Sequence, residues 1–292
     1  MKFGIFLRLG GPGATAEFVR GLGPVVEERG ISSVWAAEHV VLFDSQNSAY
    51  PYTEDGKLPV PPADNFLEPF TALSCIAATT DKLRLGTGIC ILPQRNPVYT
   101  AKQVADLDVI SGGRFDFGIG VGWLAEEFEA LDVPFEHRGS RADEYITIAK
   151  SLWSEGPSQH NGKFYSLPEC QQYPKPIQRP HPPIYVGGES RAALRRVAEH
   201  GDGWFGYNLT PEGARAGIEK LQPLLAEYGR TMIEMQINVS PHLTKCTLDT
   251  IKQYQDAQVD QIILITRSTN LDDLKRELDK VANDLVQPAK NL

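Results

Sequence analysis

Residues 181–204 read His-Pro-Pro-Ile-Tyr-Val-Gly-Gly-Glu-Ser-Arg-Ala-Ala-Leu-Arg-Arg-Val-Ala-Glu-His-Gly-Asp-Gly-Trp. Ile184, Tyr185 and Val186 make a short apolar run of the kind buried in a parallel sheet. Gly187 and Gly188 let the backbone turn with its N–H groups bare, and Ser190 is a good N-cap for the helix that follows. Such a strand, glycine turn and helix start can be a plain connection. It can also offer unpaired N–H groups and the positive end of a helix dipole to an anion, above all a phosphate.

The same succession recurs along the chain. Residues 3–8 form an apolar strand, residues 16–29 carry Phe18, Leu22, Val25 and Val26 at helical spacing, and Gly30 ends that helix. A second strand at 33–37 stops at Glu38-His39, with a helix at 69–79 and a third strand at 83–91 after it. A helix at 98–110, with Ala101, Val104, Ala105 and Val109 on one face, leads to a fourth strand at 114–118. Then come a short helical piece at 125–131 and a helix at 140–153, opened by Ser140 and Asp143 in the manner of a capping box. Beyond the strand at Ile184, strands at 203–207, 233–239 and 261–266 alternate with helices at 211–228, 248–257 and 271–286. Eight strand-plus-helix units predict a closed (β/α)8 TIM barrel, a single domain over residues 1–292, with its chemistry at the carboxyl ends of the strands. Two stretches stand outside the alternation. The Pro-rich residues 40–66 are long for a connection and read as a functional lid or a mobile loop, and residues 155–183 read as loops and short extended pieces.

Composition narrows the partners. The 292 residues are 41% hydrophobic and 23% charged with a formal charge of -8, which argues against a general nucleic-acid or anionic-membrane binder and leaves small molecules or a second copy of the chain. Cys75, Cys90, Cys170 and Cys246 show no paired spacing, so no disulfide is expected. No signal-peptide core or membrane-length apolar run occurs, and a cytoplasmic protein is expected, with the sequons at Asn208 and Asn238 accidental. The six histidines lack metal-site spacing, so no metal is expected.

In a barrel the strand ends list the candidates for chemistry: Arg8 and Gly10, Glu38 and His39, Gly88 and Ile89, Gly120 to Trp123, Gly187 and Gly188, Gly206 to Asn208, Ser240, and Thr266. Glycines dominate, which suits close approach of a flat ligand to the backbone. Glu38-His39 is the one acid next to a histidine at a strand end, able to move a proton near neutral pH or to serve as a structural pair. Gly-Asp-Gly-Trp-Phe-Gly at 201–206 matches the dinucleotide fingerprint but follows a helix and runs into a strand, the reverse of that motif. Glu126 and Glu127, like Asp143 and Glu144, read as solvated helix faces. Of the aromatics near the expected mouth (Trp35, Phe43, Tyr50, Tyr52, Trp123, Phe128, Trp204 and Tyr207), Trp35 reads as core and Trp123 as a pocket wall. Arg191, Arg195 and Arg196 are either surface charges or contacts for an acidic ligand tail.

Several motifs occur together and in order: Ser-Val-Trp-Ala-Ala-Glu-His, Leu-Gly-Thr-Gly-Ile with Arg95-Asn-Pro, Ser-Gly-Gly-Arg-Phe-Asp-Phe-Gly-Ile-Gly-Val-Gly-Trp with Glu127-Phe128, Arg138-Gly-Ser-Arg-Ala-Asp-Glu-Tyr-Ile, and Pro-Pro-Ile-Tyr-Val-Gly-Gly with Gly-Asp-Gly-Trp. The set resembles the bacterial luciferase-like monooxygenase superfamily over nearly the whole chain, and most closely the branch that uses the deazaflavin coenzyme F420. The resemblance implies a barrel, usually dimeric, with the ring system in its mouth. His39 and Glu38 would contact the ring as catalytic residues. Gly88-Ile89 would be a non-proline cis peptide behind it, and Val121, Gly122 and Trp123 would line the opposite wall. Gly187 and Gly188, with Ser190, would hold the phosphate. It further implies hydride transfer between F420 and a small organic substrate. The alternatives are an FMN-dependent monooxygenase fed by a separate reductase, and a non-catalytic flavin-binding protein. The family's sugar-phosphate dehydrogenases carry an acid at the place of Trp123 and Asp-His at the place of Glu38-His39, so that substrate class does not carry over.

Overall fold

The computed structural model describes residues 1–292 apart from Arg8, Leu243 and the side chain of Asn291, so the strand-end candidate Arg8 lies outside the described residues. Eight parallel strands close on themselves in the order β1 (Lys2–Leu7), β2 (Ser33–Ala36), β3 (Arg84–Thr87), β5 (Phe115–Gly120), β8 (Ile184–Gly187), β9 (Gly203–Tyr207), β10 (Gln236–Ser240) and β11 (Gln261–Ile265), which pairs again with β1. A two-residue strand, β4 (Cys90–Ile91), continues the third stave beyond Thr87 and pairs with the end of β5. The expected (β/α)8 barrel is therefore the observed fold. Helices α1 (Ala16–Glu28), α2 (Pro69–Ala77), α3 (Pro97–Ile110), α4 (Ala125–Ala130), α5 (Arg138–Trp153), α6 (Arg191–His200), α7 (Pro211–Glu227), α8 (Leu248–Asp256) and α9 (Leu271–Val281) run between the staves.

The staves have two faces because side chains alternate along a strand. Outward residues such as Ile5, Val34, Leu85, Phe117, Val186 and Ile237 join the helices in one continuous core. Inward ones form a smaller cluster of Trp35, Tyr185, Phe205 and Ile263 inside the barrel. The fully buried Trp35 indole is its centre. A Cβ on Gly86 would lie 2.6 Å from Trp35 Cδ2, and one on Gly118 would lie 3.3 Å from Trp35 Cζ3 while overlapping the Thr87 carbonyl oxygen. Two staves thus give up their side chains to admit one indole, whose Nε1–H is satisfied by Ser33 Oγ at 2.9 Å.

Several sequence readings need correction. The capping box at Ser140 and Asp143 is not formed: α5 begins two residues earlier behind His137, which sits at φ 56°. Asp143 instead pairs with the buried Arg196 from a side chain that stays partly exposed, and Glu144 accepts backbone N–H groups from Lys163, Phe164 and Tyr165 and is largely covered. Those bonds tie down a hairpin, β6 (Ser158–Asn161) with β7 (Ser166–Cys170), in the stretch read as short extended pieces. The strand expected at 233–239 starts later, since Met232–Glu234 make a 3-10 turn, and the last helix changes to a π turn at Ala282–Val286. Among the described residues no helix is long and apolar enough to cross a membrane.

Replacing Gly86 with Ala forces a methyl group into Trp35, and overpacking of this kind costs about 1–3 kcal/mol. The variant is expected to unfold at a correspondingly lower denaturant concentration with an unchanged m-value. A wild-type midpoint would mean that the indole does not fill the barrel tightly.

Candidate functional site

The carboxyl ends of the staves bring most of the sequence candidates into one patch. Beyond Thr87 the third stave is interrupted by a cis peptide between Gly88 and Ile89, at the expected position. The Ile89 side chain lies over the inner end of the barrel: a Cβ on Gly187 would come within 3.3 Å of it, and one on Gly120 would overlap its Cδ1. The uppermost inward layer therefore consists, on β5, β8 and the third stave, of backbone plus one isoleucine. His39, Ile89, Val121, Gly122, Trp123, Gly187 and Gly188 are all half-buried, the pattern of a surface that is lined rather than filled.

Glu38 and His39 part company. Glu38 is buried, accepts Ile91 N–H at 2.6 Å and meets Arg95 Nε at 2.6 Å, and Arg95 goes on to Glu68 at 2.6 Å. It anchors the backbone just past the cis peptide, and the Arg95-Asn-Pro motif supplies its counter-charge, with Asn96 capping α3. His39 turns the other way, its ring 6.0 Å from Trp123 and 5.9 Å from Phe66. Its Nδ1 is 3.1 Å from Glu127 Oε2, a carboxylate with no exposure to solvent. Where the carboxylate is the acceptor of this bond Nδ1 carries the proton, and Nε2 has no protein partner among the described residues.

The place of Glu127 on a short helical piece predicts a solvated face, and the structure buries it instead. Leu124, Glu127 and Phe128 share the buried side of the α4 turn, a three-and-four spacing that could have signalled an inward acid. Its Oε1 also accepts Val40 N–H at 2.6 Å, and the neighbouring Glu126 accepts N–H from Asn47 at 2.5 Å and Ser48 at 3.1 Å. Ser48 Oγ returns a bond to Ala125 N–H at 3.0 Å. Residues 40–66, without regular structure for most of their length, are thereby pinned over the mouth by the helix that follows the Gly122-Trp123 wall.

Within that segment Tyr50 meets Trp123 with ring centroids 5.2 Å apart, and Tyr52 meets Tyr207 at 4.7 Å. Burial raises the pKa of all three tyrosines, so their hydroxyls stay protonated. Burial also raises Glu189, whose carboxyl accepts Tyr207 N–H at 3.1 Å. Of the other aromatics, Trp35 plugs the barrel and Phe128 packs beneath Gly122. Trp204 points outward and donates Nε1–H to Gly188 O at 2.9 Å.

Gly188 holds φ at 105°, and Ser190 caps α6 by accepting Ala193 N–H at 3.1 Å, so the turn of residues 187–190 is built as the sequence suggested. Of the three arginines after it, Arg196 is buried against Asp143, Arg195 donates to Tyr228 Oη at 2.8 Å, and Arg191 stays exposed. No group of three or more potential metal ligands occurs among the described residues.

A model of the luciferase-like monooxygenase family matches residues 1–289. The chain belongs to that family. Among its luciferase-like relatives, an uncharacterized Mycobacterium tuberculosis protein is 33% identical over 243 residues, 83% of each chain. The FMNH(2)-dependent dimethylsulfone monooxygenase of Pseudomonas putida is 34% identical over 173 residues, 58% of this chain but 47% of that protein. The fold is shared with the monooxygenase RslO1 of Streptomyces bottropensis (TM-score 0.78, 21% identity, 99% of this chain and 100% of that one). It is shared equally with the coenzyme F420 dependent tetrahydromethanopterin reductase of Methanopyrus kandleri (TM-score 0.76, 17% identity, 98% of each chain).

Glu127→Ala leaves the Val40 N–H and the His39 Nδ1–H without their acceptor, a loss of about 1 kcal/mol for each part-buried bond. Limited proteolysis of this variant is expected to cut within residues 40–66 faster than in the wild type. Glu129→Ala, on the exposed side of the same helix, should change neither stability nor cleavage.

Proposed function

We propose that this luciferase-like protein is an oxidoreductase that holds the deazaflavin F420 in the barrel mouth and moves a hydride between it and a small organic substrate. The observation that carries the reading is the bare upper layer: Ile89 flanked by Gly120 and Gly187, where added Cβ atoms would collide, with His39 and Trp123 on the adjoining rim. A flat ring can rest on a surface of backbone and one isoleucine side chain. The turn at Gly187-Gly188 and the start of α6 suit its phosphate. The cofactor would supply the hydride-accepting carbon; the chain supplies position and protons. In this reading His39 Nε2 is the proton acceptor, held by Glu127, while Glu38 keeps the backbone at Ile91 in place and acts through it. Trp123 and the tyrosines of residues 40–66 exclude water from the ring.

FMN is the second reading, favoured by the likeness to the FMNH(2)-dependent dimethylsulfone monooxygenase. Both cofactors offer a tricyclic ring and a ribityl phosphate, and the motifs of the chain lie nearer the F420 branch. Titrating the apo-protein with each, followed by quenching of tryptophan fluorescence, decides between them. F420 is expected to bind the more tightly, and tighter FMN binding would replace it. His39→Ala should lower turnover or cofactor affinity at least tenfold, and wild-type values would remove His39 from the mechanism.

A further inference from the structure

A second recess lies beside the mouth, between the ends of β10 and β11 and the last turns of the chain. It encloses about 240 Å³. One wall is aliphatic, made by Leu264, Ile265, Val281 and Leu285, and the other carries His242 and Arg267. It joins a shallower cleft of about 430 Å³ that shares Ile265 and Arg267 and opens to solvent.

Three features of the polar wall point to an anion. Arg267 has no acidic partner among the described residues, although it lines both hollows. His242 stacks on Tyr207 with centroids 5.4 Å and planes 27° apart, which holds its ring still, and its buried Nδ1 has no hydrogen-bond partner. The acids that face Arg267 are already engaged. Asp273 pairs with Arg276 and accepts from Asn270 Nδ2 at 2.7 Å, and Glu277 accepts the hydroxyls of Thr266 at 2.7 Å and Ser268 at 2.6 Å. Burial and the nearby Arg267 lower the pKa of His242, so the guanidinium is the cation of this wall.

We propose that this recess binds a small amphiphilic carboxylate, its head on Arg267 and the Nδ1–H of His242 and its hydrocarbon tail along Leu264, Ile265, Val281 and Leu285. Charge-assisted bonds from a guanidinium suit a carboxylate, and an aliphatic wall contributes in proportion to the apolar area it covers. The site is separate from the ring-binding patch and does not require the cofactor reading to hold. Occupancy would be felt at the mouth through the ring of Tyr207, which His242 covers on one side and Tyr52 meets on another.

Calorimetric titration of the intact protein with acetate, butanoate and hexanoate tests this. Affinity is expected to rise about three- to fourfold for each added methylene until the recess is full. Hexanol and hexylammonium should bind at least tenfold more weakly than hexanoate. Arg267→Gln, at an exposed position, should lower hexanoate affinity at least tenfold while leaving the melting temperature and the cofactor titration unchanged. Absence of hexanoate binding at millimolar concentration, equal binding of the ammonium, no dependence on chain length, or an unaffected Arg267→Gln variant would each overturn the assignment. A competition titration in which F420 or FMN displaces hexanoate would place the carboxylate in the mouth instead and overturn it as well.

Discussion

One indole decides what the barrel can hold. Trp35 occupies the middle of the cylinder, and it does so because Gly86 and Gly118 on the next two staves leave room for it. With Tyr185, Phe205 and Ile263 it forms a floor, below which the interior is sealed by polar contacts such as Tyr185 with Gln236 and Gln261 with Ser33. Above the floor the third, fourth and fifth staves carry glycine at 88, 120 and 187, and Ile89, with Phe6 and Tyr207, packs over the cluster there. The sequence of small, large and small residues along the axis makes a closed core at one end and an open seat at the other. Both come from the same period-two alternation that builds any strand.

The architecture was legible because it repeats. Apolar runs such as Ile184-Tyr185-Val186, each followed by a turn and an amphipathic helix, need no long-range information, and the boundaries missed were mostly of one or two residues. The Gly88-Ile89 peptide came from likeness to a family, since no local propensity announces it. What local pattern could not show was pairing across distance. His39 and Glu127 are 88 positions apart, and the neighbour that looked like the natural partner, Glu38, sits on the opposite side of the same strand end. Adjacent residues of an extended segment point to opposite faces, so the pair Glu-His was never free to act as a dyad.

Acids were the residues most often misread, and for one reason. Glu126, Glu127 and Glu144 all lie on helices at positions that predict a solvated face, yet each accepts bonds from a segment that has no regular structure of its own, while Asp143 pairs with Arg196 of the neighbouring helix α6. A loop that makes no ladder must satisfy its N–H groups somewhere, and a carboxylate offers up to four acceptor sites. The long connection at 40–66 and the turn before β7 are both resolved in this way.

The two oxygens of Glu127 have different obligations. One holds the imidazole of His39, and the other holds the amide of Val40, the first link of the cover over the mouth. One side chain thus fixes both the ring and the covering segment, so removing it releases the two together.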